Sequence, residues 1–325
     1  MELYPGAHLI ECEIAGRPLY LPLLLEGQDS MLLDCGTAYH STHDVPAYLD
    51  RIGCRALTWL VITHPDGDHC GGIAEIKRKY PNVRIACGDA DRRLVESPDY
   101  LFAFRYDAYR RDHGIFYDGS VAIETRNCFS GEQRVDLTLV GGESVQLGSG
   151  RPLEIWHLPG HSHGHIGVYD SRNRTLFYGD AIQGRGYQSL NGDWKLCPTY
   201  LYVDDYLDTI RAIECSPANM IVGCHWPIWK GREQIESFSG ESREFVMLAD
   251  RLVSDYIAAN PGTTMKEICS QLSGKLGQWP PDTAMELANA ISGHLDRFAK
   301  REQVEVDRSS PPLRYYRKAA DRAAV

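Results

Sequence analysis

Six consecutive residues, His64-Pro65-Asp66-Gly67-Asp68-His69, constrain this chain more than any other feature. They follow an apolar run at 57–62 that reads as a buried strand, and they precede a Gly-Gly turn. Four ligand-type side chains in one strand-end loop can converge on a metal without help from distant segments. Imidazole and carboxylate together suit zinc, iron or manganese. A polar turn capping the next helix would also explain such a cluster taken alone. Three later segments repeat the arrangement: His161 in LPGHSHGH after the apolar run 153–158, Asp180 in LFYGDA after 175–178, and His225 in VGCHWP after 220–222. Each presents a ligand-type residue where a buried strand emerges, beside a glycine that permits close backbone approach. Four repeats favour a metal site built at strand ends over a capping turn.

Around these loops, short apolar runs punctuated by turn residues predict strands at 8–14, 19–25, 30–33, 57–62, 83–86, 135–140, 144–147, 153–158, 166–170, 175–178 and 220–222. Helices are expected at 45–54, 73–79 and 202–213. The segment 97–127, aromatic and charged with no strand alternation, reads as a helical insertion. It is either a wall of the pocket or a helix packed on a sheet. From about 240 apolar residues recur at helical spacing, starting with Phe245, Leu248, Ala249, Leu252, Val253, Tyr256 and Ile257. MKEICSQL, capped by Thr263-Thr264, and 282–300 make two further helices, and VEVD, SSPP and LRYYRK then read as a hairpin. Three helices followed by a hairpin is the order of a winged helix, so a domain boundary is expected near 240.

Charge and cysteine usage narrow the setting. Lys and Arg total 34 against 44 Asp and Glu, a formal charge of −10 that argues against nucleic-acid binding by the chain as a whole. Ten scattered cysteines with no CxxC pair look like reduced core thiols. The first residues lack a basic, then apolar leader, and no apolar run is long enough to span a bilayer. A cytoplasmic protein without membrane contact is expected.

The motif THPDGDH, the PGH at 159–161, the GD at 179–180 and the late His225, taken in order, resemble the metallo-β-lactamase superfamily over residues 1 to about 240. The resemblance implies an α/β fold, an αββα sandwich forming a catalytic domain at 1–240, with 97–127 inserted. It also implies two divalent metal ions, most simply zinc. His64, Asp66 and His161 would hold one, Asp68, His69 and His225 the other, and Asp180 would bridge them. Asp34 in DCG matches the family's early strand-end aspartate, which supports the site without ligating it. His165 matches a position suited to supporting the ligands, and Tyr187 is a candidate partner for a substrate oxyanion. Asp66 departs from the family's usual second histidine. The extra carboxylate hardens the site and leaves room for manganese or iron. Residues 241–325 resemble the winged-helix appendage of a superfamily subset, read as a cap, a homodimer contact or a nucleic-acid surface.

Two metals ~3.5–4 Å apart can hold a bridging water whose pKa falls to about 7, which makes hydroxide available at neutral pH. Asp68, a ligand beside that water, would orient it and relay a proton as the catalytic residue. The favoured reading is therefore a binuclear metal-dependent hydrolase using the bridging hydroxide on a small ester, thioester or lactone. A nuclease or phosphodiesterase holding nucleic acid on the winged helix competes with it. So does a di-iron oxidoreductase, suggested by Asp66 alone. Residues 296–325 carry eight Lys or Arg against five acidic residues, too mild a surplus to favour the nuclease.

Overall fold

A computed structural model describes residues 1–117, 119–281 and 283–318. Two sheets form the centre. The first has seven strands in chain order: Glu2–Tyr4, Ala7–Ile14, Arg17–Glu26, Asp29–Leu33, Trp59–Ile62, Arg84–Gly88 and Leu137–Leu139. Its first four strands are antiparallel, and from Asp29–Leu33 onward each pairs in parallel with the next. The second sheet runs Trp229–Lys230, Met220–Gly223, Thr175–Gly179, Ile166–Asp170, Arg151–His157 and Ser144–Leu147.

Period-2 alternation decides what each strand buries on each face. Met31 and Leu33, Val61 and Ala86 of the first sheet share one core with Ile155, Val168, Phe177 and Val222 of the second. The alternate residues Leu32, Leu60, Ile62 and Ile85 turn outward onto Val45 and Leu49 of helix Asp44–Arg51 and onto Ile73 and Ile76 of helix Ile73–Lys79. On the second sheet Leu176, Tyr178 and Ile221 turn outward onto helix Val203–Glu214 and the C-terminal helices. The layers are helix, sheet, sheet, helix, as expected for an αββα sandwich.

The segment 97–127 is helical, in the pieces Pro98–Leu101, Phe102–Tyr106 and Arg110–His113, with Gly119–Asn127 following. The piece Phe102–Tyr106 is a π-helical turn, a wide geometry that recurs at functional sites. Past the sheets come helices Arg232–Ala259, Met265–Leu276 and Leu287–Lys300, then the antiparallel strands Val304–Asp307 and Arg314–Arg317. Thr264 caps the second of these helices in a capping box with Glu267. The expected start of the third at Asp282 lies outside the described residues. The long helix Arg232–Ala259 passes through residue 240 without a break, so the boundary expected there falls inside one rod. Its side chains join the same core as the second sheet. None of the ten cysteines is disulfide-bonded. Among the described residues no helix is long and apolar enough to cross a membrane.

Candidate metal centre

Parallel pairing brings strand ends together, and with them the side chains just beyond. Leu33 pairs with Val61, which places Asp34 beside Thr63, and Gly179 pairs with Gly223, which places Asp180 near His225. The six-residue motif turns from its strand into the short helix Gly67–Cys70, and the loop after Arg151–His157 delivers His161. The seven expected ligands gather in one place. The ring centroid of His64 lies 3.9 Å from that of His69 and 4.6 Å from that of His161, and His69 lies 5.3 Å from His225.

Ligand-type atoms within 4.8 Å of one another form the trios His64, Asp66, His161 and Asp68, His69, His225, and a third trio links His64 and His69 to Asp180. Asp66 Oδ2 stands 2.9 Å from His161 Nε2 and 3.7 Å from His64 Nε2. Asp68 Oδ2 stands 3.3 Å from His225 Nε2, and His69 Nε2 faces His225 Nε2 at 3.3 Å. Asp180 reaches toward His69 and His225 with one oxygen each, at 3.8 and 3.7 Å.

The cluster fits a cation by its unmet bonds. His64 Nε2 and Asp180 Oδ1 are buried with no hydrogen-bond partner among the described residues, a costly state for a lone pair in a polar cluster. Every imidazole is also fixed from behind. His69 Nδ1 donates to Asp34 Oδ2 at 2.9 Å, and His225 Nδ1 donates to the Pro18 carbonyl at 2.7 Å. His64 Nδ1 lies 2.9 Å from Thr63 Oγ1, and His161 Nδ1 lies 3.3 Å from Thr199 Oγ1. Partners on Nδ1 turn each Nε2 lone pair inward, the arrangement that orients metal-bound histidines. Asp34 is the hub, since it also accepts from the Thr63 amide at 2.7 Å and hydroxyl at 2.8 Å. It holds φ at +58°, a left-handed conformation that aspartate tolerates better than most residues.

Electrostatics holds His64 neutral and Asp68 ionised, and sets His69 apart from them. Burial, then the neighbouring His69 and His161, hold His64 well below the usual histidine range. Burial alone would raise the Asp68 carboxyl, but His69, His225 and Arg17 hold it well below the usual carboxylate range. For His69 burial is outweighed by Asp180, Asp68 and Asp34, which raise it well above its ordinary value in the metal-free protein. The imidazole of His165 is pushed well down by burial. Its Nε2 accepts from the Asp180 amide at 3.2 Å and its ring stacks on His64. Tyr187 donates to Asp180 Oδ2 at 2.7 Å, so its hydroxyl is spent on a candidate ligand.

The centre opens onto a cavity of about 460 Å³. Asp66, Asp68 and Asp180 form its floor, the insertion supplies Tyr106, Tyr109 and Tyr117, and the C-terminal region supplies Thr283, Met285 and Glu286. Sequence reasoning missed Arg105, whose guanidinium grips both oxygens of Asp66, and Arg17, whose Nη2 lies 3.7 Å from Asp68. It also missed Gln183, which accepts from the Thr199 amide at 2.6 Å and so sets the residue behind His161. Thr63, inside the motif THPDGDH, carried a signal of position, and Gln183, two residues past LFYGDA, did not.

The sequence profile of the metallo-beta-lactamase superfamily matches residues 23–225, well over half of the chain. The chain belongs to the metallo-beta-lactamase superfamily. That places it among metal-dependent hydrolases, consistent with a centre assembled from histidines and aspartates. The acyl-coenzyme A thioesterase MBLAC2 of Bos taurus is 27% identical over 211 residues, spanning 61% of this chain and 68% of that protein. A hydroxyacylglutathione hydrolase of Rhodopseudomonas palustris (strain BisB5) is 24% identical over 168 residues, half of each chain. The crystal structure of a metallo-beta-lactamase family protein from Thermus thermophilus superposes with a TM-score of 0.73 at 20% identity. It covers 97% of this chain and all of that one, so the fold they share includes the C-terminal helices.

Proposed function

We propose that the chain is a binuclear metal-dependent hydrolase of small esters, thioesters or lactones. The observation that carries this reading is the cavity: about 460 Å³, floored by candidate ligands and walled by tyrosines, the size of a small-molecule site. Acyl-coenzyme A and hydroxyacylglutathione, named for two relatives, fit that class of substrate. In this proposal His64, Asp66 and His161 would hold one ion, Asp68, His69 and His225 would hold the other, and Asp180 would serve both. Zinc is the proposed metal. Two bound divalent cations supply Lewis acidity and a nucleophile at neutral pH. The chain's own residues then orient and exclude. Asp34, Thr63, Thr199 and the Pro18 carbonyl fix the four imidazoles, and Tyr187 and His165 fix Asp180. Asp68, held ionised beside the cavity, would take the proton given up by the attacking water and return it to the departing alkoxide or thiolate.

The proposed division of labour follows residue 240 even though the long helix does not break there. Residues 1–240 supply all seven candidate ligands, and 241–325 supply one wall of the cavity, the part of a cap. The test sets model esters, thioesters, lactones and single-stranded RNA side by side across a salt series. Acyl hydrolysis with little salt dependence is expected. RNA cleavage alone, weakening with salt at a slope of about −0.7 per phosphate contact, would replace this reading with a nuclease.

A further inference from the structure

The two halves of the centre are not equivalent, and the difference lies in one arginine. Arg105 Nη2 sits 2.9 Å from Asp66 Oδ2 and 3.1 Å from His161 Nε2, the two atoms that trio would offer to a cation. Its Nε bonds the other Asp66 oxygen and its Nη1 donates to the His161 carbonyl at 3.3 Å. The side chain is 10% exposed, so solvent does not screen the pair. In the other trio the nearest guanidinium is Arg17, whose Nη2 stays 3.7 Å from Asp68, beyond hydrogen-bond range. Arg105 reaches its position because the π-helical turn Phe102–Tyr106 directs two successive residues at one loop. The Tyr106 hydroxyl accepts from the Gly67 amide at 2.9 Å, next to Asp66.

From this geometry we infer that Arg105 is a built-in competitor for the His64, Asp66 and His161 half, so that the Asp68, His69 and His225 half loads first and holds its ion more tightly. A lone pair on His161 Nε2 cannot serve an N–H and a metal together. A guanidinium already neutralising Asp66 removes much of the charge that would attract a divalent ion, and it repels that ion at short range. Loading the guarded half requires Arg105 to give up at least its contact with His161. The inference rests on the binuclear reading above, and concerns only the order and strength of metal binding.

The test is calorimetric titration of the metal-stripped protein with zinc against a competing chelator, with bound metal counted by elemental analysis. Wild type is expected to take one equivalent tightly and a second at least tenfold more weakly. Arg105→Ala is expected to strengthen the second equivalent by tenfold or more and leave the first within about threefold, with Arg105→Lys in between. Two equal equivalents in wild type would overturn the inference, whether or not the variants fold. A second equivalent that weakens in Arg105→Ala would also overturn it, by showing that the arginine holds Asp66 ready for metal. Wild type taking one equivalent and Arg105→Ala two would support it. Protein that binds no metal in any form would instead sink the functional reading itself.

Discussion

Asp34 shows how much of this candidate centre depends on the groups behind the imidazoles. Its carboxylate collects the Thr63 amide and hydroxyl and the His69 ring, and through Thr63 it reaches His64 as well. Replacing Asp34 with Asn keeps a side chain that tolerates positive φ but removes the charge and one acceptor. Metal affinity measured by chelator competition should fall about 10–100-fold, the usual effect of losing such a partner. Unchanged affinity would show that the backbone alone sets His69. His69 itself predicts a pH dependence. Its raised protonation in the metal-free protein means a proton must leave before metal binds, so apparent affinity should rise with pH by up to about tenfold per unit until that proton is gone. The same ionised contacts stabilise the metal-free fold below the ordinary histidine pKa of about 6.5, and that contribution is lost as pH rises through the raised value. A flat affinity profile between pH 6 and 8 would contradict the assignment of His69 as a ligand.

The candidate ligands stood out in the sequence because their segments each follow an apolar run and carry a glycine within three residues. Period and punctuation predict strand ends well, and parallel strands bring their ends together. Arg105 was not legible for the opposite reason. It lies in an aromatic, charged segment that also holds Arg110 and Arg111, and only the π-turn decides which arginine faces the metal loop. Near the boundary expected at 240 the change from strands to helices is real, and one continuous helix carries the chain across it. Element contacts also make a prediction at Gly160, where φ is +132° and an added Cβ would stand 2.5 Å from the Cα of Tyr206. Gly160→Ala must push the His161 loop off helix Val203–Glu214. It should destabilise the fold by about 1–3 kcal/mol in urea and weaken metal binding together with it. Loss of stability with metal binding intact would mean the loop is held by other contacts.

At the scale of the whole molecule, three parts of the chain share one cavity. The sandwich provides the floor of aspartates, the 97–127 insertion provides tyrosines and the arginine on Asp66, and the C-terminal helices provide the remaining wall. The core that joins the second sheet to the C-terminal helices is continuous, so this wall is part of the folded body. Its Glu286 is pushed up to about 7 by burial and by the charges of Asp66 and Asp68, against the opposing Arg17 and Arg105, a sign that the C-terminal region feels the centre's field across the cavity. A fold arranged this way should do nothing to an acyl substrate without its ions. The decisive measurement is thioester or ester turnover as zinc is added stepwise to metal-free protein at concentrations well above its dissociation constants. Turnover should be absent at the start, should rise to a plateau at two equivalents per chain, and should stay absent throughout in Asp180→Ala. Full turnover before any metal is added, or an unchanged titration in Asp180→Ala, would contradict the account.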